Sequence, residues 1–154
     1  MNLRAYSDPG SLPAGQSARV ARLLAIREPD GVGDLQLARR ISDGLHPGAV
    51  SALEDILGRK LVIGPIVPEA TLRRVRKAGK LLSRDLSERL YDIGRLVDAV
   101  SLVYHGDPHR IEAFLNRPHP LLEDETPFDL ARSSSAGTEA VLNLVRRLEA
   151  SVAV

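Results

Sequence analysis

The feature that most constrains the fold is a long apolar stripe in the second half of the chain. Its members recur at alternating intervals of four and three residues: Leu86, Leu90, Ile93, Val97, Val100 and Tyr104. This spacing puts every member on one face of an α-helix, because about 3.6 residues complete a turn. A helix with so long an apolar face must pack against other helices, so the stripe predicts a helical bundle.

Shorter stripes of the same kind are separated by residues that begin or end helices. These residues are Gly44, Gly58, Gly79, Asp107-Pro108 and Thr126-Pro127. The apolar, β-branched segment Leu61–Pro68 is the exception, because its two prolines disfavour both a regular helix and a central strand. We expect a buried extended connection there, with one short helical turn. The predicted fold class is therefore all-α.

Length and composition narrow the class of protein. A chain of 154 residues forms one compact domain, or two small ones that share a core. The 44% hydrophobic and 27% charged residues are typical of a soluble globular protein and exclude a wholly disordered chain. The absence of cysteine excludes disulfides and thiol chemistry. No apolar run approaches the roughly 20 residues of a membrane span, so we expect a cytoplasmic protein.

The charges are distributed unevenly along a chain whose net charge is only +1. Between Arg59 and Arg89 there are nine basic and three acidic residues. Between Asp98 and Glu139 there are eight acidic and three basic residues. This asymmetry indicates two surfaces with different partners.

Residues that could support catalysis or metal binding lack the necessary context. His105 and His109 are four apart, but Gly106 and the helix start at Asp107-Pro108 separate them, so they do not form a metal pair on one helix. The acidic run Glu123-Asp124-Glu125 has no cation-loop spacing and is typical of a solvated loop. We therefore expect no enzymatic activity, no catalytic residue, no metal and no cofactor.

One predicted helix, from about residue 69 to 78, concentrates positive charge. Its candidate DNA-binding residues are Arg73, Arg74, Arg76, Lys77 and, just past the end of the helix, Lys80. A helix of this size and charge can neutralise phosphates and enter the major groove, as in a helix-turn-helix protein. The alternative is a solvated basic face, or one that pairs with the acidic half of the chain.

Three segments between about residues 45 and 152 share an order and spacing with a known family. They are Thr71-Leu72-Arg73-Arg74 through Leu96, Phe114 through Leu122, and Thr126 through Glu149. The most specific part is the string Arg117-Pro118-His119-Pro120-Leu121-Leu122 followed by Thr126-Pro127-Phe128-Asp129-Leu130 and the last helix. Together these segments resemble the Xre/MbcA/ParS-like antitoxins, which are partners of toxins with the RES domain.

The resemblance implies a type II antitoxin with an Xre-like helix-turn-helix region and a C-terminal helical toxin-binding domain. Members of the family typically dimerise, and they join their toxin in a hetero-oligomer. The toxin degrades NAD or transfers its ADP-ribose, and the antitoxin covers its NAD pocket. Members also commonly repress their own operon by binding duplex DNA.

The chain is predicted to have three regions, and the resemblance bears on the last two. Residues 1–33 form an N-terminal arm, which we expect to be mobile from its polar, proline-containing sequence, and a short helix. Residues 34–105 form the helix-turn-helix and dimerisation region, and residues 106–154 form the toxin-binding domain. The implied toxin-binding residues are Arg117, Pro118, His119, Pro120, Leu122, Glu125, Leu148, Ser151 and Val154.

The residues alone leave other classes of function open. A free-standing helix-turn-helix transcriptional regulator would use the same basic helix without a toxin partner. A helical scaffold would use neither nucleic acid nor toxin.

Overall fold

The computed structural model describes residues 3–152. Every regular element in that range is helical, which confirms the all-α prediction. The α-helices are α1 Gln16–Leu23, α2 Asp34–Asp43, α3 Gly48–Leu57, α4 Arg59–Val62, α5 Glu69–Ala78, α6 Arg84–Val103, α7 Pro108–Asn116, α8 Pro127–Ser133 and α9 Ser135–Val152. Short 3-10 turns cover Leu3–Ser7, Pro9–Ser11, Pro29–Gly31 and Pro120–Leu122.

The chain divides into two compact units after Gly94, inside α6. Unit 1 comprises residues 13–94, and the described part of unit 2 comprises residues 3–12 and 95–152. The sequence predicted a boundary near residue 105, where α6 ends. The long helix α6 instead contributes residues to both units. The boundary between the two compact units therefore lies inside a helix and not at its end. The three predicted functional regions stay a prediction.

In unit 1, α1 packs against α2 and α3 around fully buried side chains such as Val20 and Leu53. The turn after α2 is fastened to the start of α6 by two hydrogen bonds. The Leu45 amide donates to the Ser87 hydroxyl at 2.8 Å, and the Leu82 amide donates to the Leu45 carbonyl at 2.8 Å. Gly44 has φ 105° at this turn, and a Cβ atom there would overlap the Leu82 carbonyl oxygen. This close approach therefore requires glycine.

The connection between α4 and α5 agrees only in part with the prediction for Leu61–Pro68. Helix α4 is a single turn, and Ile63 and Val67 then form an isolated β-bridge. Ile66 and Val67 are buried, but residues 64–66 form a turn in which Gly64 has φ 99° and its amide donates to the Val67 carbonyl at 2.9 Å. The predicted helical turn is therefore present, whereas the predicted extended conformation is wrong, because Gly64 adopts a positive φ that allows a hydrogen-bonded turn before the basic helix.

In unit 2, α8 and α9 form a tightly packed pair. A Cβ atom on Gly137 would overlap the Leu130 carbonyl oxygen, so the backbones of the two helices are nearly in contact. The buried Thr138 hydroxyl donates to the Ala131 carbonyl at 2.8 Å and fastens the crossing. The predicted N-caps Asp107 and Thr126 are confirmed, since each side chain accepts a hydrogen bond from the first turn of its helix.

The prediction of a mobile N-terminal arm is wrong for the described residues of the arm. Leu3 and Tyr6 are buried, and the Tyr6 hydroxyl donates to Oδ1 of the buried Asp98 at 2.8 Å. Gly106 (φ 74°) lies against this segment, because a Cβ atom there would overlap the Leu3 carbonyl oxygen. Residues 1–14 are mostly polar, so their composition did not indicate that Leu3 and Tyr6 would pack into the core of unit 2.

Among the helices within residues 3–152, none is both long enough and apolar enough to span a bilayer.

Candidate functional site

Two surfaces, one in each unit, contain the residues singled out from the sequence. The first is the outer face of α5. Leu72 is buried under the helix, and Arg73, Arg74 and Lys77 are exposed. Their helical angles place these three side chains together on the side opposite Leu72. We call Arg73, Arg74 and Lys77 the cationic stripe.

The two other candidate residues of this helix are placed differently. Arg76 is turned toward α3, where its Nη2 donates to the Ser51 hydroxyl at 2.7 Å. Lys80 follows Gly79, which ends α5 in a left-handed conformation with φ 63°. Lys80 is exposed. The structure thus places three of the five predicted cations on the outer face of α5, leaves Lys80 exposed beyond the end of the helix, and holds Arg76 against α3.

A carboxylate at the start of α5 was missed in the sequence analysis. Oε1 of Glu69 lies 2.6 Å from Nη2 of Arg59 and 3.7 Å from Nη2 of Arg73. Arg59 also meets Oε1 of Glu54 at 3.5 Å. The spacing of four between Glu69 and Arg73 could have indicated the first pair. The pairing with Arg59 depends on the turn at residues 64–66, which periodicity does not reveal.

The second surface is the loop formed by residues 119–125, which connects α7 to α8. Its ends are joined by a hydrogen bond from the His119 amide to the Glu125 carbonyl at 3.0 Å. The His119 carbonyl accepts from the amides of Leu122 and Asp124 at 2.9 and 3.1 Å. Nδ1 of His119 accepts from the Leu121 amide at 3.2 Å. His119 therefore closes the loop through its amide, its carbonyl and its side chain. The prolines on either side have no amide N–H to donate.

The tip of this 119–125 loop has an unusual backbone. Glu123 and Asp124 have φ values of 55° and 65°, in the left-handed region that side chains with a Cβ rarely adopt. Such residues cost of order 1–3 kcal/mol each and persist only where the surroundings hold them in place. Here the Asp124 amide donates to the His119 carbonyl at 3.1 Å, and the Glu123 amide donates to the Pro120 carbonyl at 3.3 Å. These hydrogen bonds restrain the acidic tip of the loop.

The predicted toxin-binding residues of this region differ in exposure. Arg117, Pro118, Pro120 and Glu125 are exposed, and His119 is half-buried. Leu122 is only 8% exposed, because the 3-10 turn that contains it packs against α9. Its side chain supports the loop from beneath, and the adjacent Leu121, 65% exposed, presents the apolar side chain instead.

At the end of α9, Leu148 is half-buried and Ser151 is exposed. The Ser151 hydroxyl donates to the Arg147 carbonyl at 2.9 Å within the helix. Val152 is 82% exposed, whereas Val154 lies outside the described residues. The structure thus assigns α9 and the 119–125 loop to one unit and packs the base of the loop against the helix.

Within residues 3–152, no three carboxylate or histidine side chains approach closely enough to hold an ion. The pKa of Asp129, at the start of α8, is lowered from its ordinary value by hydrogen bonds from Arg132 and from the Thr126 hydroxyl. The first contact is an ion pair between neighbouring turns of α8 and the second involves the N-cap residue of that helix, so the perturbed carboxyl reflects local structure.

Comparison with known proteins gives a family match within unit 2. Residues 98–150 match the family described as the antitoxin Xre/MbcA/ParS C-terminal toxin-binding domain. The match includes the end of α6, the 119–125 loop and nearly all of α9. None of the curated proteins compared with the chain matches it.

Proposed function

We propose that this chain is a type II antitoxin that blocks a RES-domain toxin, because residues 98–150 match the C-terminal toxin-binding domain of Xre/MbcA/ParS antitoxins. The toxin would be an ADP-ribosyltransferase or an NAD-degrading enzyme, and unit 2 would cover its NAD-binding site. The chain itself would have no enzymatic activity. It would act in the cytoplasm as a homodimer within a toxin–antitoxin hetero-oligomer.

The observation that carries the proposal is the fixed, exposed 119–125 loop inside the matched region. Its rigidity lowers the entropy lost on binding, because the loop is already ordered in the free chain. Its acidic tip complements a pocket that holds a pyrophosphate with cationic groups. The exposed Leu121 beside that tip supplies an apolar anchor of the kind found in the centre of protein interfaces.

The first experiment measures capture and inhibition of the toxin encoded beside this chain. We expect the purified chain to bind that toxin and to stop its NAD consumption, with binding weakened by excess NAD. A complex in which NAD turnover continues would refute the block of the active site. Binding that excess NAD leaves unchanged would refute it equally.

A matched pair of substitutions tests the placement of the toxin-binding surface. Leu121→Asp should weaken toxin capture by roughly 10- to 100-fold, because it removes an apolar anchor and adds a desolvated charge. Leu35→Asp in α2 is the control, since Leu35 and Leu121 are both 65% exposed. Equal effects of the two substitutions on toxin affinity, with both chains folded, would place the interface elsewhere.

We also propose that α5 binds operator DNA and so represses transcription of the operon. The cationic stripe supports this, because guanidinium and ammonium groups on one exposed face can neutralise successive phosphates. Replacing Arg73, Arg74 and Lys77 together with alanine should abolish a gel shift on the upstream duplex and leave toxin capture intact. Arg76→Ala, which removes the cation held by Ser51, should weaken the shift far less. A triple variant that still shifts the duplex like wild type would refute the role of α5.

A further inference from the structure

The ion pairs at the start of α5 have the geometry of an occupied anion site. One carboxylate oxygen, Oε1 of Glu69, lies between the guanidinium groups of Arg59 and Arg73 at 2.6 and 3.7 Å. Arg59 comes from α4 and Arg73 from α5, on the two sides of the turn at residues 64–66. A phosphate oxygen of a duplex would interact with the same pair of guanidinium groups, because both ligands are anionic oxygen acceptors.

The three side chains of this site are open to a large ligand. Arg59 is 60%, Glu69 56% and Arg73 76% exposed. Ion pairs at such exposure contribute little to stability and exchange readily for another anion. An incoming phosphate can therefore replace Glu69 without disturbing the fold.

The remaining cations of this surface are free to meet a phosphate. Within residues 3–152, Arg74, Lys77 and Lys80 form no ion pair with a carboxylate, whereas Arg59 meets both Glu69 and Glu54. In the free chain, Glu69 thus pairs with Arg59 and Arg73. Arg74, Lys77 and Lys80 remain available to phosphates. Duplex DNA that reaches the whole surface must compete with Glu69 for Arg59 and Arg73.

We propose that Arg59 and Arg73 form a phosphate-binding pair, that Glu69 occupies it in the free chain, and that Glu69 thereby limits the affinity for duplex DNA. This inference rests on the proposed binding of DNA by α5. It adds Arg59 to the DNA-binding residues and makes Glu69 the residue that sets the strength of binding. A weak operator complex suits a repressor that must release its DNA.

The test compares Glu69→Gln with Glu88→Gln on two duplexes, the sequence directly upstream of the gene and a random sequence of equal length. Glu88 is the matched control, because it is 49% exposed and pairs with Arg84 at 3.2 Å on α6. Both substitutions remove one negative charge and keep the size of the side chain. Thermal melting monitored by circular dichroism checks that both variants are folded.

We expect Glu69→Gln to tighten binding by about 5- to 10-fold at about 0.1 M salt, beyond any effect of Glu88→Gln. The slope of log K against log salt should steepen by about 0.9 for each phosphate contact that Arg59 or Arg73 gains. Arg59→Ala should change the affinity for duplex little in the wild-type chain. In the Glu69→Gln chain it should cancel most of the increase in affinity. Such a difference between the two chains shows that Arg59 and Glu69 are energetically coupled.

The outcomes distinguish the role of Glu69 from DNA binding by α5. If wild type binds duplex and Glu69→Gln behaves like Glu88→Gln, the assignment of Glu69 is wrong and DNA binding by α5 stands. The same holds if Arg59→Ala weakens binding equally in both backgrounds. If no duplex is bound by wild type or by Glu69→Gln at low salt, the proposal of operator binding itself fails.

Discussion

The hydrogen bond between Tyr6 and Asp98 gives the sharpest test of how unit 2 is held together. Tyr6 is fully buried and Asp98 is 1% exposed, and they are joined by a contact of 2.8 Å across 92 positions of sequence. Tyr6→Phe removes only the hydroxyl and keeps the buried ring. The substitution therefore isolates the polar contact from the apolar packing of the N-terminal segment.

The magnitude of the effect follows from the burial of the acceptor. Removing one partner of a buried hydrogen bond costs about 1–3 kcal/mol, and more where the acceptor is charged. Asp98 makes a further interaction, so its carboxyl is not left wholly without a partner. We therefore take about 2 kcal/mol. For a chain of this size, that loss lowers Tm by about 4–8 °C.

The assay is thermal or urea unfolding of the full chain, with Tyr104→Phe as the control. Tyr104 is half-buried with its ring centroid 6.0 Å from that of Phe114, and its hydroxyl has no hydrogen bond within residues 3–152. Its loss should change the free energy of unfolding by no more than about 0.5 kcal/mol. Tyr6→Phe should also speed tryptic cleavage at the exposed Arg4. Equal stability of the two variants would refute the anchoring role of the Tyr6 hydroxyl.

Three further substitutions test the packing and capping of α8. Gly137→Ala forces a Cβ atom onto the Leu130 carbonyl and should destabilise the chain by about 1–3 kcal/mol in urea unfolding. Thr126→Ala removes the side-chain cap from the Asp129 amide and should cost about 1 kcal/mol by the same measurement. Arg132→Gln should raise the pKa of Asp129 toward its ordinary value, as followed by NMR titration of the carboxyl carbon. Because the wild-type pKa is lowered, the stability advantage over Arg132→Gln is present above about pH 4 and should disappear as the pH falls through the folded-state pKa.

Local chemistry made much of the fold predictable. The caps at Asp107 and Thr126 and the stop at Gly79 are determined by residues within one helical turn, so the helix order followed from the sequence. The resemblance to the antitoxin family was also confirmed over residues 98–150. The helix ends and the family motifs could both be predicted, because each is encoded by residues close together in the sequence.

The parts that sequence did not reveal depend on contacts between distant segments. The anchoring of Tyr6 by Asp98 joins positions that no periodicity relates. Arg76 has the same type of side chain as Arg73 and Arg74, and only its helical angle toward Ser51 distinguishes it. Glu123 is left-handed although glutamate does not indicate such a backbone, whereas aspartate, as at Asp124, adopts it more often.

These long-range contacts determine how the two proposed activities can be separated. A truncation near residue 105 would separate Gly106 from the N-terminal segment that packs against it. It would also separate Tyr6 and Asp98 from the later helices of unit 2. The family match begins at residue 98, so a fragment cut to that match would lack the same N-terminal segment. Loss of toxin capture by either fragment would then report unfolding instead of a missing interface. Separation of function requires point substitutions on exposed side chains, and Leu121 in unit 2 and Arg74 in unit 1 meet that condition.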